Sequence, residues 1–335
     1  MKNLVLFFVL VASVILYPSA FAQGPLTPPA PPGPTMKTLD QLDAKLEKRI
    51  PISSLPFTIS ASGSYYFTGN LQFSATTGDA ITISQSNVTL DLMGFTLSST
   101  TGVTGNAILL NNGLRNIAVK NGAIAGNTTV TVSGTSPNQT WNTTPAGFSG
   151  GINGLSTTNC QFSHLRISGC RNAALSIGDG AAVDHVTATS NGLEGIAASS
   201  GSVTNSTASS NGSNGIAITN GSVTNSTANS NALDGILAFR GSVTNSIANS
   251  NGNIGIDAGN GSITNSTANS NNITGIIATT GSVTSSATLS NGAAGIYAPN
   301  GVVAFCKAAF NNARNIGAAD IDATGATRTG NNPAP

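Results

Sequence analysis

Carboxylates are the first residues to weigh for chemistry. Polysaccharide-cleaving sites use them in pairs, as acid and base or as Ca²⁺ ligands set against the substrate's acid groups. In the repetitive part of this chain they are sparse: Asp179, Asp184, Glu194, Asp234, Asp257, Asp320 and Asp322, of which only the last two are near neighbours. Glu194 and Asp234 hold the same place in units two apart. At the ~4.8 Å spacing of stacked strands this is about 10 Å, just beyond the separation that inverting glycosidases use. Asn214 stands between them, and no His or Lys shares their column.

His164 and His185 also fall at equivalent places in adjacent units. Two imidazoles can hold a metal, but their column otherwise holds Asn and offers no Cys or acidic third ligand, so a structural role is expected. No cofactor is implied, and Ca²⁺ is left open.

More promising are side chains expected on the outside of one strand. Leu237, Phe239, Asp257 and Tyr297, with Arg240 beside them, would form a shallow patch of apolar and charged members, the best candidate for ligand contact. The single Trp, Trp141, lies outside the repeat and either stacks on a sugar ring or folds back over the body.

The repeat positions these groups. From Ala181 onward the sequence returns every 20 residues, at 181, 201, 221, 241, 261, 281 and 301. Such a period means a solenoid whose units touch only their neighbours. The units are built of Gly, Ser, Thr, Asn and Val, so each is a coil of short strands and not a helix pair. Comparison with the less regular coils places positions 3, 6 and 8 inward, as in Val203, Ser206 and Ala208, and positions 16 and 18 inward, as in Ile216 and Ile218. A step of three between inward residues breaks the strand period of two, so the chain turns at positions 4 and 5. Position 5 is Asn205, Asn225, Asn245 and Asn265, preceded by His164 and His185. Asn tolerates the left-handed backbone such a corner needs. Packing at that corner would make the Asn-x-Thr triplets beginning at Asn205, Asn225 and Asn265 poor glycosylation acceptors. Stacking also lines up Asn191, Asn211, Asn231, Asn251, Asn271, Asn291 and Asn311 as a ladder of side-chain amides, a structural device.

The "SNGxxGI" turn, the "VTNSTA" corner and the opening "ISASGSYYFTGNLQF...GDAITISQSNVTLDLMGFTLS" resemble the right-handed parallel β-helix repeat proteins of the pectate-lyase-like superfamily, in particular its exported bacterial members. The resemblance spans about residues 53–325. It implies an all-β, single-stranded solenoid of about eleven coils with three short strands each, a rod on the order of 50 Å long. The paired Asp, Gly-His-Gly and Arg-x-Lys signatures of the polygalacturonase branch are absent.

Around this body the expected organisation is a signal peptide (1–22) with an A-x-A cleavage site, a Pro-rich linker (23–36), an N-terminal capping helix (37–51) ended by Pro51, the β-helix (53–325) with an inserted loop (127–147), and a flexible tail (326–335). Cys160, Cys170 and Cys306 are expected to be buried fillers.

With 7% charged residues and a net charge of +1, the chain carries no electrostatic footprint for nucleic acid. The composite expectation is an exported, non-catalytic rod, secreted, at the cell surface or in the periplasm. It would contact polysaccharide or another envelope component and have no membrane span after signal cleavage. A polysaccharide lyase or glycoside hydrolase is one alternative. The other is an ice-binding solenoid, with Ser202, Thr204 and Ser206 as a flat outward row.

Overall fold

Val203 pairs in parallel register with Val183 on one side and Val223 on the other, and the column continues through Val243, Ile263, Val283 and Val303. The computed structural model describes residues 49–99, 102–312, 320–323, 327–330 and 332–333. The assigned termini 1–22 and 23–36, and residues 37–48 of the expected capping helix, lie outside them. Among the described residues every regular element is a strand.

Three columns of apolar side chains fill the interior. Position 3 supplies Val, position 8 supplies Ala188, Ala208, Ala228, Ala248 and Ala268, and position 16 supplies Ile196, Ile216, Ile236, Ile256, Ile276 and Ile296, all buried. The position-16 strands stack in parallel from Phe57 through Ile81, Ile108, Ile152 and Leu175 to Ile321, which makes twelve levels rather than eleven. Eleven steps of ~4.8 Å give a rod about 50 Å long. Cys160, Cys170 and Cys306 are buried free thiols, as expected.

Corners separate the strands. Asn205, Asn225, Asn245 and Asn265 adopt φ of 49°, 51°, 51° and 48°, and His164 and His185 do the same at 54° and 52°. Contrary to the expected packing, the four Asn side chains are exposed. A second left-handed corner falls at position 10, in Ser190, Ser210, Ser230, Ser250, Ser270 and Ser290.

Each corner takes a backbone N–H out of the strand ladder, and a side chain of the next coil receives it. After the first corner, Ser206 N–H donates to Ser226 Oγ at 3.2 Å, and Ser226 Oγ–H donates in turn to Thr224 O at 2.9 Å. After the second, Asn191 N–H donates to Asn211 Oδ1 at 3.1 Å, and the pattern repeats through Asn311. The inward polar column at position 6 is therefore a hydrogen-bonded spine. Gly215 is required beside the Asn column, because a Cβ there would lie 2.6 Å from Asn231 Nδ2.

Three boundaries need correction. Ile50 and Pro51, placed at the end of the capping helix, belong to the strand Ile50–Ile52, which pairs in parallel with Tyr65–Phe67. Among the described residues this strand pairs along one edge only, with Tyr65–Phe67, and a strand with one pairing edge tolerates the missing N–H of Pro51. At the other end, residues assigned to a flexible tail form the strands Thr327–Thr329 and Asn332–Pro333, which add to Val302–Ala304 and Lys307–Ala309. The body therefore extends past 53–325 in both directions. The inserted segment 127–147 is not an open loop: Thr129–Ser133 and Thr140–Thr144 pair antiparallel as a hairpin.

The hairpin lies along the flank of the rod. Thr143 and Trp141 of its second strand, with the Gln139 carbonyl and Pro137 of the turn before it, meet the rod at Gly212, Gly252, Asn272 and Gly292 respectively. These contacts are spread over four coil steps, from Gly212 to Gly292, about 19 Å at the spacing of stacked strands.

Candidate functional site

The outward residues of the third strand form one continuous column. Ser176, Ala197, Ala217, Leu237, Asp257, Ile277, Tyr297 and Asp322 follow one another at single-coil spacing. Sequence places small side chains at Ala197 and Ala217 and larger ones after them, so the face is stepped. A shallow groove of about 230 Å³ results, with Ala197 and Ala217 in it and Leu155, Leu237 and Phe239 among its lining residues. Leu155 and Phe239 are 60% and 48% exposed, and together they line one concavity rather than standing singly.

Charged groups stand near the groove but outside its lining, in the neighbouring strand positions and turns. The Arg240 guanidinium sits over the Phe239 ring, 5.7 Å from its centroid. Asp257, next after Leu237 in the column, accepts a 2.8 Å hydrogen bond from Gly259 N–H through Oδ1. Burial pushes its carboxyl above the usual range. Asp234 is more enclosed: its Oδ1 accepts from Asn253 Nδ2 at 2.7 Å and from Ile254 N–H at 3.1 Å. Burial also raises its carboxyl, and the neighbouring charge of Asp257 adds to the effect. Glu194 Oε1 accepts from Ser213 Oγ at 2.9 Å.

The structure thus brings together Leu237, Phe239, Arg240 and Asp257, with Tyr297 two coils further along the same column and partly exposed. It separates Trp141 from them. That side chain belongs to the hairpin, and its Nε1–H donates to Ser230 O at 2.8 Å on a different face. Trp141 is a docking residue, because its one polar group is already satisfied by the rod. Sequence reasoning missed Leu155 as a groove residue, and placed Ala197 and Ala217 in the outward column without giving them a role in ligand contact. Leu155 stands in a coil outside the regular period, and the two alanines carry no chemical signal of their own.

The other sequence candidates have structural explanations. His164 and His185 stack in parallel, with centroids 5.0 Å apart. His185 Nδ1 lies 2.7 Å from Asp184 Oδ2, an acidic partner not anticipated from the Asn column. Among the described residues no group of three or more His, Cys, Asp or Glu is placed to hold a metal ion. Asn191 to Asn311 occupy the ladder described above, and Asp320 receives the last of them through Asn311 Nδ2 at 2.7 Å. Ser206 is buried while Ser202 and Thr204 face outward, so the three-residue row required for an ice-binding plane is broken at its third member. Among the described residues no helix is long and apolar enough to cross a membrane.

No protein-family model and no curated protein matches the chain. Among solved structures it is similar to the A-module of the Azotobacter vinelandii mannuronan C-5 epimerase AlgE6, with 14% identity and a TM-score of 0.50 over 82% of this chain and 92% of that one. It is also similar to the catalytic domain of a GH87 alpha-1,3-glucanase in complex with tetrasaccharides, with 14% identity and a TM-score of 0.53 over 85% of this chain and 63% of that one. At such identities the likeness speaks to fold alone: the chain is a single-stranded parallel β-helix.

Proposed function

We propose that this protein is an exported, non-catalytic rod of the cell surface or periplasm that holds polysaccharide on the outward face of its third strands. The observation that carries the reading is the groove at Ala197, Ala217, Leu237 and Phe239. It is an apolar trough on a rigid sheet, bordered by hydrogen-bonding groups, the combination that engages the C–H face and the hydroxyls of a sugar ring together. Similarity in fold to carbohydrate-active β-helix proteins supports the glycan contact, and not the absence of catalysis. Affinity electrophoresis through gels containing individual polysaccharides tests it. Phe239→Ala should weaken retardation by about tenfold, the effect of losing one aromatic anchor; equal retardation of variant and wild type would remove the groove from consideration.

A second reading, a glycoside hydrolase or lyase, is favoured by the closeness of Asp234 and Asp257, whose charges interact. Against it, Asp234 is almost fully buried and already accepts two hydrogen bonds, leaving it poorly placed to exchange a proton with substrate. Release of reducing ends or unsaturated products from a panel of neutral and acidic polymers, abolished by Asp257→Asn, would establish this second reading instead.

A further inference from the structure

We infer that the groove selects a neutral glycan chain over a polyuronate, and that Asp257 sets this preference. The inference rests on the reading of this face as a glycan contact and adds the chemical class of the ligand. Between residues 181 and 260 the chain carries the carboxylates Asp184, Glu194, Asp234 and Asp257 and a single Lys or Arg, Arg240. Asp184 belongs to the strand Ala181–Thr189, where it is hydrogen-bonded to its neighbour His185. Glu194 and Asp234 stand in the turns that precede the strands Ile196–Thr204 and Ile236–Ala238, and Asp257 follows Leu237 in the outward column.

Arg240 is engaged with the Phe239 ring and stands at one edge. Asp257, by contrast, lies in line with the groove, one coil beyond Leu237 in the same outward column. A glycan lying along the rod would meet Ala197, Ala217, Leu237 and Asp257 in turn, over about 14 Å at the spacing of stacked strands. Gly259 N–H occupies Oδ1 of Asp257, which leaves Oδ2 to accept from a donor. A sugar hydroxyl can donate there, in a charge-assisted bond. A uronate carboxylate cannot donate, and it would add a second negative charge beside one that burial already disfavours.

Binding of an α-1,3-glucan oligosaccharide and of an alginate oligosaccharide of equal length, measured by calorimetry at low ionic strength, tests the inference with wild type, F239A and D257N. The expected result is glucan binding at least about tenfold tighter than alginate binding. D257N should narrow that ratio by strengthening alginate binding, and F239A should weaken whichever oligosaccharide binds. Alginate binding as tight as glucan binding, still lost in F239A, would overturn the selectivity while leaving the face as a glycan site. A ratio unchanged in D257N would overturn the assignment to Asp257. Absence of binding to either oligosaccharide, or binding indifferent to F239A, would bring down the glycan reading of the face itself, and this inference with it.

Discussion

Asn211 and Asn231 are joined twice: the side-chain amide of Asn211 donates to Asn231 Oδ1 at 3.0 Å, and the backbone N–H of Asn211 donates to the same oxygen at 3.1 Å. Asn231 Nδ2 then donates onward to Asn251 Oδ1 and back to Ala208 O, both at 3.0 Å. Every polar atom of the side chain is used inside a fully buried column. The left-handed serine corner of the same coil depends on this, because the N–H that follows it has no strand partner.

Truncation of this link should therefore cost more than its own hydrogen bonds. Asn231→Ala orphans two donors of Asn211 in a dry interior, and a destabilisation of about 2–4 kcal/mol is expected in urea unfolding followed by circular dichroism. Asn225→Ala, at an exposed corner, loses only left-handed preference and a 3.3 Å contact to Asn205. It should cost about 1 kcal/mol. Equal losses for the two would show that the ladder contributes nothing special.

Trp141→Ala should loosen the hairpin without unfolding the rod. Removing a partly buried ring and its bond to Ser230 O is expected to lower stability by about 1–2 kcal/mol. Limited proteolysis should then cut between Ser133 and Thr140. Glycan retardation should remain at the wild-type level, because Trp141 and Phe239 stand on different faces.

The acid side of the stability profile should report Asp184. Hydrogen bonds from His185, Asn205 and Thr204 bring its carboxyl down from 3.8 to about 2. A folded value below the unfolded one stabilises above the unfolded value and is lost as pH falls through the folded value. The difference in Tm between wild type and Asp184→Asn should shrink as pH is lowered from about 4 to about 2. The group is solvent-exposed, so the difference will be small and will diminish with salt.

Asp234 should behave in the opposite sense. Burial raises its carboxyl, so ionisation penalises the fold once pH climbs above the ordinary aspartate range, and the penalty is absent below it. Asp234→Asn keeps an acceptor for Asn253 and Ile254. It should raise Tm by a few degrees at neutral pH and leave it unchanged in strong acid. A variant less stable at neutral pH would mean that the ionised form is better held than its surroundings indicate.

Much of this architecture is legible in the residues themselves. Val203, Ala208 and Ile216 recur with so little variation that the interior columns and the corner at Asn205 can be placed by counting. The corner at Ser210 is not legible, since Ser has little intrinsic preference for the left-handed region and only the neighbouring Asn211, through its hydrogen bonds, holds it there. The hairpin is half visible: "TVTVS" alternates, but "GTSPNQ" carries no Asn-Gly or Asp-Gly turn signal. The strand at Thr327 was hidden because it pairs with Val302 across 25 residues, and not the 20 of the regular coils. The groove depends on Leu155, whose coil obeys no fixed period, so its presence beside Ala197 emerges only from stacking.

The flank contacts of Thr143, Trp141, Gln139 and Pro137 bear on how such a chain is allowed to grow. Tandem units are prone to gain and loss of copies, and between Val203 and Val303 nothing in the interior forbids one more or one fewer. The hairpin does, because it is a gauge of fixed length laid against the coils from Gly212 to Gly292. A unit inserted or deleted inside that interval would carry half of its contacts one step out of place, whereas a unit added beyond Gly292 would go unnoticed. Copy number is thus policed where the hairpin reaches and free to drift where it does not.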